Sequence, residues 1–383
     1  MIKNSLKNAA LLALGCLAAL LLLEAFLAFY PPLAGRVRGR KIILFPYKHY
    51  VIENTRFPKI ERHIVRSNNS LGFRGPEPLP PGKKALTIIA VGGSTTECFY
   101  LSDGKSWPEQ LGKELAASFK PVWVNNAGMD GQSTFGHQIL MSDYIVKLKP
   151  RVVLFLTGLN DMGLASANRF DSLLTDNIGR PLPARLLVWA ASKSRVFALL
   201  QNFLLYEKAI KAGLVHTQLD LKTMRTERVS KERLAALLKE HSAGAKAYGE
   251  RLEGLIALSR AHGISPILIT QPLLCGKGRD PSTGADLELL EAGPEFGNCA
   301  AEWDVLQLYN DQARKLGARL HVPVADLADQ MPKDSRYYYD TAHYTAEGAK
   351  EVADIVYRDI CRPLAAISPA TFTGTCPAGE RRP

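Results

Sequence analysis

Two short stretches of this chain carry residue types that can perform nucleophilic chemistry. Ser94 stands in Gly92-Gly93-Ser94-Thr95-Thr96-Glu97, where two glycines let the backbone turn sharply and present the serine. His343 closes Asp340-Thr341-Ala342-His343, and of the eight histidines only this one has an aspartate three residues before it. A serine hydroxyl becomes a nucleophile when a base takes its proton, an acid holds that base in one tautomer, and hydrogen-bond donors receive the oxyanion. Asp-x-x-His lets one turn carry both acid and base. Donors are available in the amides of Ser94 and Gly131, the latter in Asn125-Asn126-Ala127-Gly128-Met129-Asp130-Gly131-Gln132-Ser133, and in the side chain of Asn160 in Gly158-Leu159-Asn160-Asp161. Each piece has a plainer reading. Gly-Gly-Ser also suits a phosphate nest or a loop, Asn-Asp a turn and helix cap, Asp-x-x-His a surface pair, and Gly131 any turn.

Their joint order is what counts, because each follows or adjoins a segment that reads as a buried strand. Leu86–Val91, Val122–Asn125, Val152–Leu156, Pro266–Thr270 and Val322–Leu327 are short apolar runs of strand length. Between them lie helical patterns: one from the Ser106-Trp107-Pro108-Glu109 capping box to Phe119, then Phe135–Leu148, a long helix beginning near Ser230, and Trp303–Leu316. A closing helix spans Thr345–Ile360. Alternation of this kind predicts an α/β fold, a doubly wound and mainly parallel sheet of flavodoxin-like type with helices on both faces. In such sheets ligands bind at the carboxyl ends of the strands, where the candidate residues fall.

These blocks resemble those of the SGNH (GDSL-type) hydrolases, over about residues 85–363. The resemblance implies that Ser94 is the nucleophile, His343 the base and Asp340 its orienting acid. It further implies that Gly131 and Asn160 complete the oxyanion hole with the Ser94 amide. Gly93 and Asp161 then support the two loops. The family's Gly-Asp-Ser is Gly-Gly-Ser here, which leaves the three catalytic positions intact. No G-x-S-x-G elbow surrounds Ser94, so the α/β-hydrolase fold is disfavoured.

The chain has 383 residues and a net charge of +11, but the charge is unevenly spread. Residues 1–84 hold 14 basic and 4 acidic side chains, leaving 34 against 33 downstream. The basicity therefore gives no reason to expect a nucleic-acid partner for the large domain, and no nucleic-acid motif occurs. Ala9–Tyr30 is apolar but for Glu24, long enough to cross a bilayer, and Leu and Phe continue to its end without a small-residue cleavage site. It reads as a signal anchor, a single transmembrane helix. The expected organisation is a tail over 1–8, the anchor over 9–30, a basic membrane-proximal stalk over 31–84, the hydrolase domain over 85–363 and a tail over 364–383. Within the domain, the Leu- and Lys-rich insert 164–228 shows no cluster of chemistry-bearing residues and reads as a helical lid or flank.

Six cysteines include no C-x-x-C pair, so neither a thiolate metal site nor any other metal or cofactor is expected. Cys275 and Cys299 bracket a Gly/Pro-rich segment, and Cys361 and Cys376 bracket the end of the last helix. That placement suits loop-closing disulfides and equally suits buried free thiols. Disulfides would agree with a domain outside the cytoplasm, although Arg36, Arg38, Arg40 and Lys41 outnumber the two lysines before the anchor and pull the positive-inside rule the other way. Taken together, the expectation is a serine esterase acting on an acylated carbohydrate or lipid of the cell envelope. An O-acyltransferase of envelope polysaccharide and a non-catalytic envelope-binding protein are the alternatives. Asp-x-x-His, as against the Asp-x-His of many related transferases, leans towards hydrolysis. The sequence sets no oligomeric state.

Overall fold

The structure is a computed structural model, and it describes residues 2–30, 35–80, 82–162, 182–211, 216–218 and 220–377. Parts of the 164–228 insert and of the C-terminal tail thus lie outside the described residues. The chain forms two compact units, one made of Met1–Leu44 with Leu173–Val215, the other of Phe45–Ser172 with His216–Pro383.

The first unit begins with the helix Ile2–Phe29, whose stretch Leu6–Phe29 is long and apolar enough to cross a membrane by length and composition. A two-stranded antiparallel ribbon follows, β1 (Val37–Arg38) with β2 (Lys41–Ile42). The unit is completed by the helices Leu182–Lys193 and Arg195–Lys211.

The second unit is built on a five-stranded parallel sheet. Before it comes an antiparallel hairpin, β3 (His49–Glu53) with β4 (His63–Ser67), paired from His49 opposite Ser67 to Glu53 opposite His63. The sheet strands are β5 (Leu86–Gly92), β6 (Val122–Asn126), β7 (Val152–Leu156), β8 (Ser265–Ile269) and β9 (Val324–Ala325). Their spatial order is β6-β5-β7-β8-β9, all pairs parallel. All five residues of β7 are buried, as expected of a strand covered on both faces and therefore apolar without alternation. The order reverses direction between β5 and β7, which opens a crevice at the carboxyl ends of those strands.

Local sequence explains the helices. The long helix Lys231–Ala261 starts where the Ser230 hydroxyl accepts from the Arg233 amide at 3.2 Å. Asn298 does the same for Cys299–Leu320, accepting from Ala301 at 3.0 Å, and Thr345 for Ala346–Ile367, accepting from Gly348 at 3.1 Å. At Trp107–Leu115 the Glu109 carboxylate reaches back to the Ser106 amide at 3.2 Å and its hydroxyl at 2.6 Å. The helix expected over Phe135–Leu148 begins at Thr134 and passes through a wider turn at Met141–Ile145.

The units divide the chain differently from the expected organisation: Leu173–Val215 of the insert groups with Met1–Leu44, and the unit that contains the sheet begins at Phe45. The stalk was expected to run to Lys84, yet Phe45–Lys84 belongs to the unit that contains the sheet. The reason lies in buried polar residues that look like stalk charges in sequence. Arg74 is buried and donates to the carbonyls of Glu97, Cys98, Leu101 and Ser102 at 2.8 to 3.2 Å, and to Glu109 at 3.2 Å. The structure joins Cys275 to Cys299 and Cys361 to Cys376, with Cys16 and Cys98 free.

Candidate active site

Ser94 opens a single helical turn, Ser94–Glu97, directly after β5. Asp340 and His343 sit in the loop before the last helix. The Asp340 carboxylate accepts from the amides of Ala342 at 2.9 Å and His343 at 2.7 Å, which fixes the turn, and from the His343 ring Nδ1 at 2.6 Å. Because a carboxylate only accepts, Nδ1 carries the proton and Nε2 is left to accept. Nε2 lies 2.7 Å from the Ser94 hydroxyl. The structure thus brings Ser94, His343 and Asp340 into one hydrogen-bonded chain.

The electrostatics follow from that geometry. Burial works against a charged His343, but the charge and hydrogen bond of Asp340 and the charge of Asp130 outweigh it, so the ring's pKa stands above the ordinary histidine value. Burial likewise pushes Asp340 up, and the His343 ring with the two turn amides pulls it below the usual carboxylate range.

Gly131 and Asn160 come from the ends of β6 and β7, on either side of Ser94. Gly131 has φ +71°, a left-handed conformation that glycine adopts without cost. The Asn160 side-chain amide donates to the Gln132 carbonyl at 2.8 Å, which leaves its second N–H for another acceptor. The next residue, Asp161, is buried and accepts from the Thr134 hydroxyl at 2.5 Å, the Thr134 amide at 3.2 Å and Arg251 at 3.0 Å. Adjacent residues of one loop therefore grip both Gln132 and Thr134 of the other. Burial raises the Asp161 pKa against the opposing pull of Arg251 and Thr134. Gly93 is needed for closeness: a Cβ there would lie 2.3 Å from Asn160 Nδ2 and 3.2 Å from the Gln132 carbonyl oxygen.

Three contributions were not foreseen. The insert was read as carrying no chemistry, yet its His216 ring lies 4.0 Å, centroid to centroid, from His343. His216 Nδ1 is 2.7 Å from the Tyr339 hydroxyl and Nε2 is 3.2 Å from Asp130, so the phenol donates to Nδ1 and Nε2–H donates to the carboxylate. Tyr339 also stacks on His343 at 5.6 Å and packs on Phe57 at 5.0 Å. Finally, Glu97 links the hairpin to the Gly131 loop, pairing with Arg66 at 2.7 Å and accepting from the Asp130 amide at 2.6 Å. His216 has no local motif, and nothing in the spacing could have found it.

His216, Asp340 and His343 offer possible metal-ligand atoms within 4.8 Å of one another, and these same nitrogens are engaged with Tyr339, Asp340 and Ser94. The Cys275, Cys299 and Glu302 group has its two sulfurs joined to each other.

The parallel sheet thus carries the candidate residues at the carboxyl ends of β5, β6 and β7. Residues 90–351 match the GDSL-like lipase/acylhydrolase family, and the chain belongs to that family. It is a hydrolase acting on ester bonds. No curated protein matches it. Among solved structures it is similar to the acetyl xylan esterase AlAXEase, at 14% identity over 70% of this chain and 97% of that one, with a TM-score of 0.39. A putative GDSL-like lipase from Parabacteroides merdae shows 12% identity over 76% and 99%, with a TM-score of 0.40. Axe2, an acetylxylan esterase from Geobacillus stearothermophilus, shows 13% over 71% and 93%, with a TM-score of 0.40.

Proposed function

We propose that this protein is a serine esterase that removes an acyl group from a carbohydrate or lipid of the cell envelope through an acyl-enzyme. The observation that carries the reading is the continuous chain from Ser94 Oγ to His343 Nε2 at 2.7 Å and from His343 Nδ1 to Asp340 at 2.6 Å. Ser94 Oγ attacks the ester carbonyl while Nε2 takes its proton. The imidazolium so formed is stabilised by Asp340, and the developing oxyanion accepts from the amides of Ser94 and Gly131 and the free N–H of Asn160. Nε2–H then protonates the departing alcohol, leaving Ser94 acylated. Water, deprotonated by the same ring, attacks the acyl-enzyme and releases the acid.

Envelope substrates are supported by the apolar helix at the N-terminus, which would hold the domain at a membrane. Two disulfides support a compartment outside the cytoplasm. The detergent-solubilised full chain is expected to hydrolyse p-nitrophenyl acetate and to be labelled at Ser94 by a fluorophosphonate. Full activity and labelling in Ser94→Ala would overturn the assignment. Product analysis with an acylated glycan and a second glycan as acceptor separates release of free acid from transfer.

A further inference from the structure

Large apolar side chains exposed in the described residues are concentrated in the first unit. Beyond the N-terminal helix they stand on the two helices of residues 182–211: Leu186, Trp189, Phe197, Leu200, Phe203 and Ile210 are all at least 38% exposed. The inner side of Arg195–Lys211 is already occupied, with Ala198, Gln201 and Leu205 buried at helical spacing. Gln201 exchanges hydrogen bonds with the Gly39 backbone at 2.9 and 2.8 Å, and Asn202 donates to the Val37 carbonyl at 2.6 Å. A helix with its inner face so satisfied would ordinarily turn polar residues outward to water. This one turns Phe197, Leu200, Phe203, Leu204 and Ile210 outward, with its charged residues confined to Arg195 at the start and to Glu207, Lys208 and Lys211 near the end, as suits a face set against hydrocarbon.

Glu24 fixes the depth. Its carboxylate accepts from the Ser194 hydroxyl and from the amides of Arg195 at 2.8 Å and Val196 at 3.1 Å, so a residue of the N-terminal helix caps the start of Arg195–Lys211. Glu24 is five residues before the end of that helix at Phe29, or about 8 Å along its axis at ~1.5 Å per residue. Interfacial helices lie at about this depth, roughly 5–10 Å into the boundary of headgroups and acyl chains. Charge agrees: the first unit's segments hold twelve Lys and Arg against three Asp and Glu, a net of +9 out of +11 for the chain. Exposed Trp189 and Tyr206 are of the type that sits at headgroup level.

We propose that the helices Leu182–Lys193 and Arg195–Lys211 are embedded in the interface of an anionic bilayer, making the whole first unit a membrane-seated module rather than a lone anchor. The proposal rests on reading Ile2–Phe29 as a membrane-inserted helix. Continuity with that apolar helix, and the positive charge around it, select lipid as the occupant of the exposed face.

Trp189 is the one tryptophan in the first unit's segments, so its emission is the difference between wild type and Trp189→Phe. The full chain is reconstituted in vesicles of phosphatidylcholine and phosphatidylglycerol, with and without brominated acyl chains. Trp189 is expected to lose more than half its emission to brominated lipid and to be shielded from aqueous acrylamide. A second variant, Trp189→Phe with Phe203→Trp, is expected to behave alike and tests the other helix. Quenching by acrylamide but not by lipid overturns the proposal. Shielding from both overturns it in favour of a second copy of the chain on this face. Alkaline carbonate extraction separates the premise: release of the full chain from the vesicles shows that the N-terminal helix is not inserted and overturns both.

Discussion

Arg66 and Glu97 form a buried ion pair, 2.7 Å between the guanidinium and the carboxylate, with both side chains at most 4% exposed. The second Glu97 oxygen receives the Asp130 amide, immediately before Gly131. One carboxylate therefore connects the β3–β4 hairpin, the turn that carries Ser94 and the loop that carries Gly131. Glu97→Ala is expected to destabilise the protein by ~3–5 kcal/mol, the usual cost of removing one partner from a buried pair. Thermal or denaturant unfolding of the purified chain measures this, and a loss below 1 kcal/mol would show that the pair is dispensable.

The Gly93 approach makes a second prediction. With a Cβ, Asn160 must leave its place, so Gly93→Ala is expected to lower kcat by ~100- to 1,000-fold, the usual cost of one oxyanion donor. Asn160→Ala should cost a similar amount, and the double variant little more than either, because both remove the same proposed donor. Fully additive losses in steady-state kinetics would mean that the two residues act separately.

For pH, His343 as the proposed base works only as the neutral ring. Its pKa is raised by Asp340 and Asp130, so kcat/KM is expected to fall as pH drops through a value above that of ordinary histidine. Removing a raising charge moves the acid limb the other way. Asp130→Asn should shift it to lower pH with modest loss of rate, and Asp340→Asn should shift it and also lower kcat by roughly 10⁴-fold. A limb that stays put in Asp130→Asn would refute the electrostatic account.

The two disulfides should behave differently. The Leu274 amide donates to the Thr341 carbonyl at 2.8 Å, so the segment leading into Cys275 supports the loop of Asp340 and His343. Cys361 and Cys376 tie the last helix to the tail. Replacing either pair by serine is expected to cost ~2–4 kcal/mol of stability. Only the Cys275/Cys299 replacement is expected to lower kcat as well, measured at a temperature where both variants remain folded.

Much of this site can be read from sequence because the chemistry sits beside strands. Ser94, Gly131 and Asn160 follow runs such as Leu86–Val91 and Val152–Leu156, whose buried, unalternating character is visible in composition, and Asp340 needs only its own turn to reach His343. What was hidden depends on distance along the chain. Arg66 and Arg74 look like surface charge until Glu97 and the carbonyls of 97–102 fold over them, so their sequence does not show that the hairpin groups with the sheet. His216 meets His343 across 126 intervening positions and no local pattern. The apolar helices of 182–211 lack the one-sided patterning that marks a water-facing helix, so their leucines conveyed helix without conveying surroundings.

The second unit resumes at His216, the first residue after the long excursion through 173–215. The splice point is thus part of the working surface. Shortening the protein by joining Ser172 to a later residue would delete the ring beside His343, and a shortened chain that keeps His216 must still return its backbone to within reach of Tyr339 and Asp130. The length of the excursion is thereby tied to a fixed landing point, the His216 ring held between Tyr339 and Asp130.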